Sequence, residues 1–170
     1  MFDILVSGAG PTGMVSALAF AKQGFSVAIV DPIDRAKSPA NLAETAGLDL
    51  RSTAHLSKTV TFLEYLGIWK EICDNACALK KLAIINASSK QHRRDKYDST
   101  VFNAYEIDKD VFGYNIPIKD IVDGLSKLIK SNDQISMFIG VGVDKIKIIN
   151  DIAIAHLSNG RWIEAKLIVG

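Results

Sequence analysis

The chain has 170 residues, of which 48% are hydrophobic, and this size and composition are typical of a single domain with its own core. Its formal net charge of +1 gives no electrostatic reason to expect nucleic acid or an acidic membrane surface as a partner. The two cysteines, Cys73 and Cys77, provide too few ligands for a zinc site and are predicted to be free, buried thiols in a reducing compartment.

The N-terminus predicts a strand, a glycine-rich turn and a helix. An apolar run at residues 4–6 is suited to a buried parallel strand. The following glycines have the spacing G-x-G-x-x-G, in which Gly8 permits a tight turn, Gly10 lets a pyrophosphate approach the backbone, and Gly13 lets the helix pack against the strand. The helix is predicted to run to about Lys22, and the unpaired N–H groups at its start favour an anion.

A second strand, predicted over residues 26–30, ends at Asp31. This carboxylate lies about 20 residues beyond the turn, where an acid that binds a ribose hydroxyl is expected. The glycine pattern alone is a weak signal, but the strand, helix and acid around it predict a dinucleotide site. The alternative is a strand–turn–helix unit that binds no nucleotide.

No targeting or membrane-spanning segment is predicted. The N-terminus has no basic segment of the kind that opens a signal peptide, and it carries the glycine turn instead. The sequence also lacks an uninterrupted apolar stretch of about 18 residues, the length that a bilayer requires. We therefore expect a cytoplasmic location.

The middle of the chain predicts a long loop, two helices and a hairpin. Residues 32–50 have little periodicity, and a loop of that length is usually functional or mobile. Helices are predicted over residues 52–65, capped by Ser52 or Thr53, and near residues 70–72. A hairpin follows, with strands at 79–86 and 101–105 around a polar loop at 87–100. We interpret its charged residues as a solvated surface. The alternative is a phosphate or lipid-headgroup patch formed by His92, Arg93, Arg94 and Lys96.

The last third predicts a helix, a strand and a β-meander. The helix covers residues 119–130, with apolar side chains at helical spacing. The turns 150–151 and 159–160 separate alternating segments, and Asn-Gly at the second turn is a strong hairpin signal. The predicted strands are 134–139, 144–149, 152–157 and 161–169. The order predicts an α/β fold, a Rossmann-like parallel sheet in which an antiparallel meander forms a crossover.

Five motifs, in this order, resemble the ubiquinone-biosynthesis hydroxylases, a group of FAD-dependent aromatic hydroxylases of the para-hydroxybenzoate hydroxylase fold. They are GAGPTG (8–13), DLRSTAHL (49–56), FLEYLGIW (62–69), FGYNI (112–116) and LIVG (167–170). The resemblance runs over the whole chain and implies a single-component monooxygenase. Such an enzyme binds FAD, uses NAD(P)H and O₂, and hydroxylates an aromatic or prenylated quinone precursor. The cofactor supplies the chemistry, so this segment needs no catalytic acid, base or nucleophile.

The resemblance also implies roles for particular residues. The residues that match the pyrophosphate turn are Gly8, Gly10, Pro11, Thr12 and Gly13. Asp31 matches the ribose-binding acid, although the family more often has Glu there. Arg51 matches an arginine expected near the flavin phosphates or ring; the alternative is a surface arginine that caps a loop. Val143 lies where the family holds the adenine by backbone contacts.

Three further positions carry no implied contact. Ile118 stands where the family often has a polar residue, which argues against a flavin or substrate contact there. His55 and His156 match no family role and are interpreted as packing or solvent-exposed residues, with His156 on a meander strand.

The resemblance also implies that the fold is incomplete. The family continues after the 167–170 motif into an Ala-Asp-Gly and then a Gly-Asp motif, and this sequence has neither. We therefore expect residues 1–170 to be the N-terminal part of an FAD-binding domain, with an insertion at about 75–115 contributing a hairpin to a substrate-domain sheet. Alone, such a chain is expected to bind FAD weakly or not at all and to show no NAD(P)H-dependent hydroxylation. It is also expected to self-associate through uncovered sheet edges. The resemblance also implies a peripheral association with the inner membrane or with a biosynthetic complex.

Two other functions stay open at this point. One is an NAD-dependent dehydrogenase, against which the insertion and the meander argue. The other is a catalytically inactive binding or interaction fragment that keeps only the nucleotide fold.

Overall fold

A computed structural model describes residues 1–33, 51–86 and 98–170. Most of the predicted loop at 32–50 lies outside the described residues. So does the candidate phosphate or headgroup patch of His92, Arg93, Arg94 and Lys96. The described helices are Pro11–Lys22 (α1), Ser57–Tyr65 (α2), Trp69–Ile72 (α3) and Ile118–Lys130 (α4), with a 3-10 helix at Ala104–Ile107. The described strands are Phe2–Ser7 (β1), Val27–Asp31 (β2), Ser52–Leu56 (β3), Cys77–Leu79 (β4), Lys81–Asn86 (β5), Asp98–Asn103 (β6), Gly113–Pro117 (β7), Ile135–Ile139 (β8), Val143–Ile149 (β9), Ile152–Leu157 (β10) and Trp162–Val169 (β11).

A six-stranded sheet forms the main layer, in the order β8-β2-β1-β11-β10-β9. The four strands β8, β2, β1 and β11 run parallel, while β9, β10 and β11 form an antiparallel meander. The turn between β9 and β10 has positive φ angles at both central residues, Asn150 (50°) and Asp151 (61°), the conformation that favours a tight hairpin. This confirms the predicted parallel sheet with a meander crossover, in which β11 returns the chain to a position beside β1.

Alternating side chains bury both faces of the parallel strands. Ile4, Val6 and Ile29 face α1 and α4, where they pack in one core cluster with Leu125 and Ile129. The next residue along each strand points to the opposite face of the sheet. There the side chains of β1 and β2 pack in a second core cluster with side chains of the meander. Its buried side chains are Leu5, Ala28, Val30, Ala155, Leu157, Ile163 and Ala165. The carboxyl ends of the parallel strands are therefore held from both sides of the sheet.

The prediction of a helix starting at residue 52 is wrong, because residues 52–56 form strand β3. This strand pairs with β7, whose other neighbour is β4, in a three-stranded antiparallel sheet. The helix begins at Ser57 after Leu56, and the Ser57 hydroxyl donates to the Phe112 carbonyl (3.0 Å), so neither of the two predicted residues caps it. Gly113 allows this close pairing, since a Cβ there would lie 2.0 Å from the His55 carbonyl oxygen.

The predicted hairpin is present but forms a sheet of two strands, β5 and β6, with Leu82 opposite Phe102. The strand predicted at 79–86 is divided between β4 and β5, and β6 ends at Asn103, ahead of the 3-10 helix. The hairpin has exposed apolar side chains on both of its faces: Leu82, Ile84, Ile85, Val101 and Phe102. A two-stranded sheet is marginally stable alone, so these side chains favour a larger sheet as the setting of the hairpin.

Within the described ranges, no helix is both long and apolar enough to cross a bilayer.

The prediction that both cysteines are buried is wrong. Cys73, directly after α3, is half-buried, and Cys77, at the start of β4, is exposed; both are free thiols.

The carboxylate of Asp3, near the start of β1, connects this strand with the residue before β2 and with the middle of β11. It accepts hydrogen bonds from the Ser26 backbone N–H (2.9 Å) and hydroxyl (2.7 Å), next to β2, and from Lys166 Nζ on β11 (2.6 Å). The hydrogen bonds from Lys166 and Ser26 hold the pKa of this carboxyl well below its ordinary value of 3.8. Asp3 therefore stabilises the fold through its ionised form.

We expect the stability contributed by Asp3 to be present at neutral pH and lost in acid. Because the pKa is lower in the folded chain, this stability is complete above the unfolded value of 3.8 and declines as the pH falls toward the folded value. Urea unfolding at pH 7, 5 and 3 measures it. The Asp3→Asn variant should be less stable than the unsubstituted chain at pH 7, and its free energy of unfolding should fall less on acidification. Equal pH dependence of the free energy of unfolding in the variant and the unsubstituted chain would contradict this role.

Candidate nucleotide-binding site

The glycine turn lies at the carboxyl end of β1, between the ends of β1 and β2. Gly8 has a φ of +119°, a conformation that side chains disfavour, and its N–H donates to the Val30 carbonyl at 2.7 Å. This bond fixes the start of the turn to the neighbouring strand. The turn consequently opens at the edge of the sheet where open α/β folds bind their ligands.

Gly10 precedes α1 and faces open space. A Cβ built on this residue would meet no described atom within 4 Å, although its φ of −71° and ψ of 172° suit any residue. The first helical bond runs from the Met14 N–H to the Gly10 carbonyl (2.9 Å), and Pro11 has no N–H. The N–H groups of Gly10, Thr12 and Gly13 thus have no acceptor within the helix, and no described side chain caps them. Together with the positive end of the helix dipole, they form a site suited to a phosphate.

Gly13 is where α1 approaches the turn most closely. A Cβ on this residue would lie 2.0 Å from the Gly8 carbonyl oxygen and 3.3 Å from Cγ1 of Val6. No side chain fits without moving the helix away from β1. The third glycine of the motif is therefore required by packing, whereas Gly10 is required only if a ligand approaches.

Asp31 ends β2 directly beside the turn. Its Oδ2 accepts a hydrogen bond from the Ala9 N–H at 2.7 Å, and its Oδ1 accepts one from the Ile33 N–H, also at 2.7 Å. Its main-chain carbonyl accepts from the N–H groups of Gly140 (2.8 Å) and Val141 (3.2 Å), which follow β8. Asp31 thereby connects the glycine turn, the end of β2 and the segment that leads into β9.

Val143 begins β9 at the same edge of the sheet. It is half-buried and lies opposite Leu157 of β10. The residue before it, Gly142, approaches Pro32, since a Cβ on Gly142 would lie 3.6 Å from Cβ of Pro32. The structure thus brings the residues just before Val143 to the end of β2, next to Asp31.

Arg51 immediately precedes β3, and its side chain is exposed. Its carbonyl accepts a hydrogen bond from the Ile118 N–H at the start of α4 (3.0 Å), which anchors the backbone. Thr53, two residues further on, lines the same cavity as Pro11 and Thr12 of α1. The backbone of Arg51 therefore lies beside this cavity, since Ile118 also lines it.

The cavity beside the turn has a volume of about 560 Å³ and is mostly apolar. It lies between α1, α2, α4 and β3, and its lining includes Val15, Phe62, Ile68, Ile118, Ile121 and Leu125. His55 also lines it; its Nε2 is inaccessible to solvent and has no hydrogen-bond partner among the described residues. Burial lowers the pKa of this imidazole.

The histidines illustrate what the sequence does not reveal. His55 is expected from the sequence to have a packing or solvent role because it matches no role in the family that the sequence resembles. As part of β3, it lines the cavity, with Nε2 inaccessible to solvent. His156 lies on β10 as predicted, opposite Lys145 and Trp162.

The sequence matches the family described as "FAD binding domain" over residues 1–130. It is 26% identical over 170 residues to the ubiquinone hydroxylase UbiM of Neisseria meningitidis, covering 98% of this chain and 35% of that protein. It is 22% identical over 168 residues to the 3-demethoxyubiquinol 3-hydroxylase of Escherichia coli, covering 99% of this chain and 40% of that protein. The chain thus spans between a third and two fifths of the length of these curated relatives.

Solved structures show the same fold. A variant of PqsL from Pseudomonas aeruginosa superposes with a TM-score of 0.74 at 16% identity, covering 99% of this chain and 42% of that one. The p-nitrophenol 4-monooxygenase PnpA of Pseudomonas putida superposes with a TM-score of 0.71 at 14% identity, covering 98% of this chain and 39% of that one. At such identities the likeness concerns architecture, and the described elements have the arrangement found in these proteins.

Proposed function

The chain belongs to the family of FAD-binding domains, and from this we propose that it forms the FAD-binding portion of a monooxygenase that hydroxylates an aromatic ring. FAD is the cofactor of the family. The observation that carries the proposal is the glycine turn, where three backbone N–H groups without helical acceptors meet open space at Gly10. A pyrophosphate carries the charge that this arrangement attracts.

The residues at the turn suit the adenosine diphosphate half of FAD. We assign the pyrophosphate to the N–H groups of Gly10, Thr12 and Gly13, with Gly8 and Pro11 shaping the turn. In the same assignment the ribose lies at Asp31, the adenine lies against the backbone at Val143, and Arg51 offsets the phosphate charge. When bound, the flavin ring supplies the redox chemistry, while this chain holds and orients the cofactor.

Substrate and co-substrates are proposed from the relatives. Both curated relatives are named as hydroxylases of ubiquinone or a ubiquinol precursor, so we propose a quinone precursor as substrate and NAD(P)H with O₂ as co-substrates. The proposal includes a cytoplasmic enzyme with peripheral access to the membrane that holds such substrates. Membership of the FAD-binding family argues against an NAD-dependent dehydrogenase.

The hairpin supports a second domain in the complete enzyme. We propose that residues 75–115 contribute to a substrate-domain sheet, because the β5–β6 hairpin exposes large apolar side chains on both faces. The same exposed surface supports the alternative of a self-associating interaction fragment without activity. Light scattering of the 170-residue polypeptide separates a monomer from such assemblies.

Competition among nucleotides tests the cofactor assignment. A full-length protein containing residues 1–170 is titrated with FAD while flavin fluorescence is followed, and then with ADP and FMN as competitors. The assignment predicts that ADP displaces FAD and that FMN, which lacks the adenosine diphosphate half, does not. Displacement by FMN but not ADP would contradict the placement of that half at the glycine turn. Hydroxylation is assayed on a full-length protein containing residues 1–170, by product formation coupled to NAD(P)H oxidation.

We expect Arg51→Ala to weaken FAD binding by about 1–3 kcal/mol, the range of charge-assisted hydrogen bonds. The loss is expected because a cation at position 51, two residues before Thr53 at the wall of the cavity beside Pro11 and Thr12, would attract the phosphates that we assign to the glycine turn. Lys130→Ala is the matched control, since it removes one positive charge from the far end of α4. A change below about 0.5 kcal/mol for Arg51→Ala would return this residue to the role of a loop-capping surface arginine.

A further inference from the structure

Both oxygens of the Asp31 carboxylate are already engaged by the backbone. Oδ2 accepts from the Ala9 N–H and Oδ1 from the Ile33 N–H, each at 2.7 Å, a short distance for N–H···O bonds and typical of charge-assisted ones. Ala9 is the residue between the first two glycines of the turn. The side chain expected to bind a ribose is thus also attached to the structure that is expected to bind the pyrophosphate.

The turn needs such an attachment because its own residues do little to fix its shape. Gly8 and Gly10 have no Cβ, so the chain on either side of Ala9 has more conformational freedom than elsewhere. The backbone bonds from Gly8 to Val30 and from Met14 to Gly10 hold the two ends of the turn. The Ala9–Asp31 bond is the contact that fixes its middle among the described residues.

We propose that Asp31 is a positioning residue that holds the glycine turn in its anion-binding shape through the Ala9 N–H. This inference rests on the proposed function, because it concerns the same nucleotide. A carboxylate oxygen can accept more than one hydrogen bond, so Oδ1 and Oδ2 keep acceptor capacity for ribose hydroxyls. Asp31 then acts on both parts of the nucleotide, directly on the ribose and through Ala9 on the pyrophosphate.

Two ligands separate these actions: ADP, and 2′,3′-dideoxy-ADP, which has the phosphates but lacks the ribose hydroxyls. Asp31→Ala, which removes both acceptors, should weaken dideoxy-ADP by about fivefold or more, the effect of losing a hydrogen bond worth about 1 kcal/mol. Asp31→Asn keeps one acceptor oxygen and should give an intermediate loss. The amide proton of Ala9 should also shift upfield in Asp31→Ala spectra.

Asp3→Ala is the matched control, since Asp3 also accepts a backbone N–H but lies at the opposite end of the parallel strands. It should lower the free energy of unfolding without changing the affinity of the folded protein for dideoxy-ADP. Weakening of ADP alone by Asp31→Ala would overturn the inference and leave the proposed function intact. Unchanged dideoxy-ADP affinity with lower stability would show a merely structural role and also overturn it. Failure of an unsubstituted full-length protein containing residues 1–170 to bind either nucleotide would instead contradict the proposed function.

Discussion

Gly10→Val is expected to reduce FAD affinity more than 100-fold, a loss of about 2.7 kcal/mol, while leaving the domain folded. No atom of the described residues lies within 4 Å of a Cβ built at this position, so the described part of the fold does not exclude a side chain. A valine there would occupy the space through which we expect the pyrophosphate to approach the N–H groups. Flavin fluorescence titration measures the affinity, and urea unfolding measures the stability.

This interpretation of Gly10 requires that FAD affinity falls sharply in the variant while the free energy of unfolding changes little. Its φ of −71° and ψ of 172° are accessible to all residues, so no backbone strain is expected in the variant. Valine is a poorer helix N-cap than glycine, which limits the expected stability loss to about 1 kcal/mol. Undiminished FAD binding by folded Gly10→Val would show that the cofactor does not approach the turn at this residue.

Local sequence patterns predicted the part of the fold that positions the candidate site. The strand, turn and helix around residues 8–13 depend on neighbours only a few residues apart, and the alternating meander segments are joined by short turns. The turn between β9 and β10 is an example: Asn150 and Asp151 are residue types that tolerate the positive φ of a tight hairpin, so the turn is predictable from the local sequence. Helix α4 was predictable for a similar reason, because its apolar residues recur on one face.

Contacts between distant segments account for what the sequence did not predict. Strand β3 pairs with β7, about 60 residues further along the chain, and no local pattern reveals such a distant partner. Leu56 also fits the apolar spacing of α2, so the local pattern predicts residues 52–56 as part of that helix. The position of His55 at the cavity follows from that pairing. The bond from Ala9 to Asp31 depends on side-chain geometry at the end of β2, which spacing alone does not reveal. The motif predicted the position of Asp31, and the structure adds its hydrogen bond to the Ala9 N–H of the glycine turn.

Gly13→Ala is expected to destabilise the domain by about 2–3 kcal/mol, although helix propensity alone predicts stabilisation by about 1 kcal/mol. The added Cβ would lie 2.0 Å from the Gly8 carbonyl oxygen, a backbone atom that cannot rotate away. Helix α1 must therefore move from β1, with loss of packing around Val6. Gly10→Ala, the same chemical change three residues earlier, meets no described atom within 4 Å and should cost little stability. Urea unfolding of both variants gives the comparison. A Gly13→Ala protein as stable as Gly10→Ala would mean that the close approach of α1 to the turn is not maintained in solution.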